Sequence, residues 1–215
     1  MLNLALLILV ALQTAATPAA TVPPVPGGCS APAAEHRGES GCFLVADVRI
    51  PDAPAQLNWH LLRFSDEASA RAAAARHQFS VVAASHGQIW LHILAPGPIT
   101  VDGGERIATA GPLAVPSGRP VTARIFEATF PPGMRTRVHA HPGPEAFYVV
   151  DGVQCMETPA DRRMLGPGES YVVAGGPHVQ ASPKGRRNLG VVLIPPNEPF
   201  MRFPGGWQPS TFCTG

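Results

Sequence analysis

Charge is scarce in this chain. Asp, Glu, Lys and Arg make up 14% of its 215 residues, and the formal net charge is +1. No basic stripe and no block of like charges is present, so nothing in the charge pattern points to nucleic acid or to an anionic membrane surface as a partner. Heptads and repeats of fixed period are also missing. The cysteines show no Cys-x-x-Cys spacing of the zinc type. There is no Ser-His-Asp order, no phosphate-cradling glycine loop and no nucleophilic cysteine context. The one long apolar run, Leu4 to Leu12, is well short of the ~20 residues that a spanning helix needs.

That run, followed by Thr14-Ala15-Ala16, has the form of a secretory signal peptide over residues 1–20, although its start carries no Lys or Arg. Cleavage is expected after Ala16 or Ala20. The mature protein is then periplasmic or extracellular, with no membrane attachment once the signal is removed. Export changes the meaning of the four cysteines, because outside the cytoplasm an even count reads as a disulfide framework. Three connectivities are possible. The preferred one joins Cys29 to Cys42 across a short Gly-rich loop, and Cys155 to Cys213, tying the tail to the body.

Proline and glycine are plentiful at 25 and 22 residues, which suits short strands and tight turns better than a helical bundle. Residues 21–40, rich in Ala, Pro, Gly and Ser, read as a linker. Residues 41–95 read as a small α+β annex, with strands at Cys42–Ile50, Leu57–Phe64, Phe79–Ala84 and Gln88–Leu94. Its helix spans Ala68–His77 behind an N-cap at Ser65. The lone histidines here, His60, His77, His86 and His92, read as packed or exposed side chains. Residues 96–120 read as a turn-rich connection and 196–215 as a C-terminal tail. Between them, 121–195 carries strands every 8–12 residues, the spacing of a sandwich or barrel.

The chemistry concentrates within this last region. Gly133-Met-Arg-Thr-Arg-Val-His139-Ala-His141-Pro-Gly-Pro-Glu145 sets two histidines two residues apart, and Gly152 closes the stretch. In an extended segment the two imidazoles share a face. A turn through Pro142-Gly143-Pro144 can bring Glu145 to the same point. Two imidazoles and a carboxylate form a ligand set for a divalent transition metal.

After Gly152 come 15 residues and then Gly168-Glu-Ser-Tyr-Val-Val-Ala-Gly175-Gly-Pro-His178. The two stretches together resemble the paired motifs of the cupin superfamily. The chain departs from the family pattern at Val173, where proline is usual, and at Ser182, where asparagine is common; neither is a ligand position. A narrower resemblance, through Phe130-Pro-Pro-Gly-Met134, His141–Pro159 and the annex with its Ala-rich helix, is to uncharacterised exported bacterial cupins with an N-terminal α+β extension. The resemblance implies a mainly β protein, a double-stranded β-helix (jelly-roll barrel) with the annex in front of it. It makes His139, His141, Glu145 and His178 the ligands of one divalent transition metal, Fe, Mn, Ni, Cu or Zn.

Strand parity nominates the surroundings. Arg137 shares the parity of His139 and could clamp a carboxylate, unless a bend at Gly133 puts it on the rim. Phe147 and Val149 share the parity of Glu145 and are expected in the pocket wall. Gln180 shares that of His178 and is expected to orient a ligand or a water. The expected function is that of an exported metal-binding cupin acting on a small organic molecule, as a monomer or homodimer. Dioxygenase-type chemistry leads, with isomerase and lyase chemistry as further options on the same ligands. The alternative is a periplasmic cupin that binds or senses a metal or small ligand without turnover.

Overall fold

The computed structural model describes residues 22–214; the expected signal peptide lies outside them. Thirteen strands, numbered in chain order, build three antiparallel sheets. In order along the chain they are β1 (Gly41–Ala53), β2 (Gln56–Phe64), β3 (Ser80–Ser85), β4 (Gln88–Ala95), β5 (Glu105–Ala114), β6 (Arg119–Phe130), β7 (Met134–Arg135), β8 (Glu145–Gly152), β9 (Gln154–Glu157), β10 (Arg162–Leu165), β11 (Ser170–Val173), β12 (Val179–Ser182) and β13 (Arg186–Ile194). A five-stranded sheet of order β1-β6-β13-β8-β11 faces a four-stranded sheet of order β10-β9-β12-β7. Together they form the jelly-roll barrel, the cupin fold that the two motifs imply. The third sheet, β3-β4-β2-β5, is the annex.

Burial explains the layering. Along β8 and β13 the side chains alternate between two covered faces. Ala146, Tyr148, Leu189, Val191 and Leu193 point to the annex and join Trp59, Leu61, Trp90 and Leu113 in the largest core. Phe147 and Val149 point into the barrel, where they meet Met156, Leu165 and Val173. The helix α1 (Glu67–Ala74) covers the other side of the annex through Ala70 and Ala73, against Leu62, Phe64, Leu91 and Ile93.

Several expectations about boundaries need correction. β1 belongs to the barrel, not to the annex: it pairs with β6 from Gly41↔Thr129 to Ala53↔Arg119. β5 arises inside the stretch read as turns and completes the annex. It contains Pro112, and as the edge strand it can carry a residue with no amide proton. β10 was not expected from the sequence at all. The helix is capped by Asp66, not Ser65: Asp66 Oδ1 accepts from the Ser69 amide at 2.8 Å. The arm over 22–40 is not a loose linker. Cys42 N donates to Pro26 O at 2.9 Å, Leu44 N to Ala31 O at 2.8 Å, and the Cys29–Cys42 disulfide fastens the arm to β1. The second disulfide joins Cys155 on β9 to Cys213, so the C-terminal tail is also held against the barrel. Among the described residues no helix is long and apolar enough to cross a membrane.

Candidate metal centre

Local backbone places the candidate ligands. β7 ends at Arg135, and the chain then runs irregularly: Thr136 N donates to Gln180 O on β12 at 2.8 Å, and His139 bridges His178, the residue just before β12. The turn at Pro142-Gly143-Pro144 lies directly on β13. A side chain at Gly143 would sit 2.0 Å from the Leu193 carbonyl, so only glycine permits this approach. Leu193 N donates to Pro144 O at 3.0 Å, and the next residue, Glu145, enters β8 pointing into the barrel. A second glycine shapes the cavity: a Cβ at Gly190 would fall 2.2 Å from the Phe126 ring, which lies across β13.

His139, His141 and His178 converge, with one ring nitrogen from each lying within 4.8 Å of the others. All three are buried, as is Glu145. The Oε2 atom of Glu145 is 3.1 Å from Nε2 of His178 and 3.9 Å from Nε2 of His141. Each imidazole is tied at its other nitrogen to a backbone carbonyl. Nδ1 of His139 meets Arg137 O at 2.9 Å, that of His141 meets Phe200 O at 2.7 Å, and that of His178 meets Gly176 O at 3.2 Å. A carbonyl can only accept, so each Nδ1 carries a proton, which leaves Nε2 as the atom that each imidazole offers to the centre of the cluster. Nε2 of His178 is buried with no hydrogen bond of good geometry.

The electrostatics agree with a ligand set. Burial, reinforced by the neighbouring imidazoles, pushes the His139 pKa down to about 3, and burial also lowers that of His141. Burial alone would raise the pKa of Glu145, but the contact with His178 and the adjoining imidazoles hold it down to about 2. Neutral imidazoles and an ionised carboxylate are the forms that bind metal. The three histidines thus form a site able to hold a metal ion.

Gln180 fixes the carboxylate. Its Nε2 donates to both oxygens of Glu145, at 3.0 and 3.2 Å, while its Oε1 accepts from Arg186 Nη2 at 3.1 Å and Gln154 Nε2 at 3.2 Å. A guanidinium cannot accept, so this amide has one possible orientation.

A cavity of about 30 Å³ adjoins the cluster. That is room for a group of two or three heavy atoms, since one water needs ~10–15 Å³ on this measure. Val25, Phe126, Phe130, Phe200 and the Cys29–Cys42 disulfide form its apolar wall; His139, His141, Glu145, Gln180, Thr136 and Arg186 form the polar one. The other pocket candidates lie elsewhere. Arg137 is exposed and its guanidinium stacks 4.3 Å over the Phe203 ring, because the segment after Arg135 is not a regular strand and parity does not carry through it. Phe147 and Val149 do face inward, but each two-residue step along β8 moves ~7 Å away from Glu145, into the apolar cluster deeper in the barrel. His60 is bound to Thr109 and to the Gly97 carbonyl, His86 faces the Asn188 carbonyl, and His92 accepts from Trp59; none of them joins the cluster.

The class this fold and site define is a cupin-type barrel with a histidine cluster inside. Among solved structures the chain is similar to a cupin superfamily protein from Desulfitobacterium hafniense, at 19% identity and a TM-score of 0.33, over 38% of this chain and 73% of that one. It is similar to a DMSP lyase from Ruegeria pomeroyi at 21% identity and a TM-score of 0.35, over 40% of this chain and 45% of that one. A third likeness is to a variant of salicylate 1,2-dioxygenase from Pseudoaminobacter salicylatoxidans in complex with gentisate, at 17% identity and a TM-score of 0.31, over 33% of this chain and 20% of that one. No protein-family model and no curated protein matches the chain. At these scores the likenesses carry no argument about activity, and the fold rests on the strand order and register described above.

Proposed function

We propose that the protein is exported, holds one divalent transition metal through His139, His141, Glu145 and His178, and acts as a metal-dependent enzyme of dioxygenase type on a small organic molecule. The observation that carries the reading is a cluster with its lone pairs already oriented, adjoining free space that three of its members line. A site built only for structure would be closed by its own ligands. The bound metal, Fe, Mn, Ni, Cu or Zn, would supply Lewis acidity and an open coordination position. The protein's residues do the rest: the three carbonyls hold the imidazoles, Gln180 holds the carboxylate, and Phe126, Phe130 and Phe200 keep water from the cavity. Insertion of both atoms of dioxygen into a substrate needs no separate reductant. Export is supported by the two disulfides and by the apolar N-terminal run.

One observation favours a second reading, a cupin that binds or senses without turnover. The cavity is small, and the disulfide-tied arm and Phe200 cover it. Metal analysis of untagged protein, followed by oxygen-uptake screening against small acids and phenols, separates the two. Metal-dependent uptake that disappears in His178→Ala supports the enzyme. Bound metal with no turnover of any compound screened supports the second reading.

A further inference from the structure

Arg186 is the residue the site has not yet accounted for. It opens β13 with only 3% exposure, and its guanidinium lies 4.1 Å over the ring of Phe130 inside the barrel. Nη1 donates to Gln154 Oε1 at 2.7 Å and to Asn188 Oδ1, and Nη2 donates to Gln180 Oε1 at 3.1 Å. These partners are all neutral amides, and Nε is buried without any partner. A buried cation usually has a carboxylate in contact; this one is kept in place by three amides, and its link to the carboxylate of Glu145 runs through Gln180. It lines the same cavity as His139 and His141, and among the described residues Glu145 is the only acid there. Glu157, also buried, is engaged elsewhere, with Arg162 at 3.3 Å and the Ser210 amide at 2.7 Å.

We infer that Arg186 makes this cavity selective for anions, and that the ligand it takes is the carboxylate group of a small organic acid. The inference rests on the metal-site reading for its full strength. Glu145 and Arg186 cancel formally, so a divalent ion adds two positive charges that no protein group offsets, and an entering anion supplies the balance. The size agrees: about 30 Å³ admits a carboxylate but not the body of an acid, which must extend outward past Val25 and Phe200. The guanidinium beside the cavity favours a negative group there, in a site with little competing water to screen the charge.

The test compares formate and acetate with their neutral counterparts, formamide and acetamide. Affinity is obtained from the concentration dependence of Tm for the mature protein as purified, and metal content is measured on the same samples. The carboxylates are expected to bind at least tenfold more tightly than the amides. Arg186→Met should abolish that preference, while Arg186→Lys, which keeps the charge but not the planar guanidinium that the three amides hold, should retain part of it. Equal affinity for acetate and acetamide, or an undiminished preference in well-folded Arg186→Met, would overturn the inference. If Arg186→Met does not fold, the decision passes to wild type and Arg186→Lys. Protein that carries no metal yet prefers carboxylates would refute the metal-site reading and leave the anion selectivity standing.

Discussion

The carbonyl of Phe200 accepts a hydrogen bond from Nδ1 of His141 at 2.7 Å, and the Phe200 ring sits 4.7 Å from the same imidazole. A residue 59 positions further along the chain therefore orients a candidate metal ligand and also covers the cavity beside it. The C-terminal tail is thus part of the site.

Phe200→Ala keeps the carbonyl and removes the cover. It is expected to cost about 1–2 kcal/mol, since the ring is only partly buried, and to leave metal stoichiometry unchanged. Metal removal by a chelator should become faster, measured as the rate of release. An unchanged rate would mean that Phe200 does not guard the site.

Gln180→Leu removes the donor to Glu145 and the acceptor for Arg186 in one step. With two charged groups left short of partners, a loss of about 2–4 kcal/mol is expected in chemical denaturation. Metal affinity should fall about 10–100-fold, measured by competition with a chelator. Loss of stability without loss of affinity would confine Gln180 to a packing role.

Stability of the metal-free protein should depend on pH in a defined direction. His139 and His92 are buried and neutral, each with its pKa lowered to about 3; for both, burial is the largest cause. Unfolded, they take up protons near the ordinary histidine value of 6.5. Between 6.5 and about 3 the unfolded chain therefore binds more protons, and stability falls as the pH falls, by up to ~1.4 kcal/mol per pH unit for each histidine. Glu145 acts in the same sense between the ordinary glutamate value of 4.5 and about 2. Urea unfolding at a series of pH values checks this, and a flat profile below 6.5 would contradict it.

The two disulfides close loops of 13 and 58 residues, for which chain entropy gives upper stabilisations of about 3 and about 4 kcal/mol. Reduction should lower Tm, with Cys155→Ser plus Cys213→Ser costing more than Cys29→Ser plus Cys42→Ser. Only Cys29 and Cys42 line the cavity, so only removal of that pair should speed metal release to a chelator.

How much of this was legible in the sequence varies with range. His139, His141, Glu145 and His178 stand at fixed spacings in two short motifs, and Gln180 follows by parity along a regular strand. Arg186 was not legible: both faces of β13 are covered, so Arg187-Asn-Leu-Gly-Val-Val-Leu-Ile194 gives no clean alternation to show which arginine turns inward. Phe200 and Val25 come from stretches that read as tail and linker, and only the chain's long-range closure brings them to the cavity. The annex boundary was missed for a similar reason. β1 finds its partner β6 some eighty residues away, a pairing that no local pattern encodes. The period-two argument failed at Arg137 because the backbone there is not a strand.

The central claim is that three imidazoles and a carboxylate hold one metal ion. Elemental analysis of the untagged mature protein, produced in medium supplied with transition metals, tests it most directly. About one equivalent per chain is expected in the wild type, with loss of nearly all of it in His139→Ala and His178→Ala variants that remain folded. A wild type without metal, or variants that keep it in full, would contradict the account.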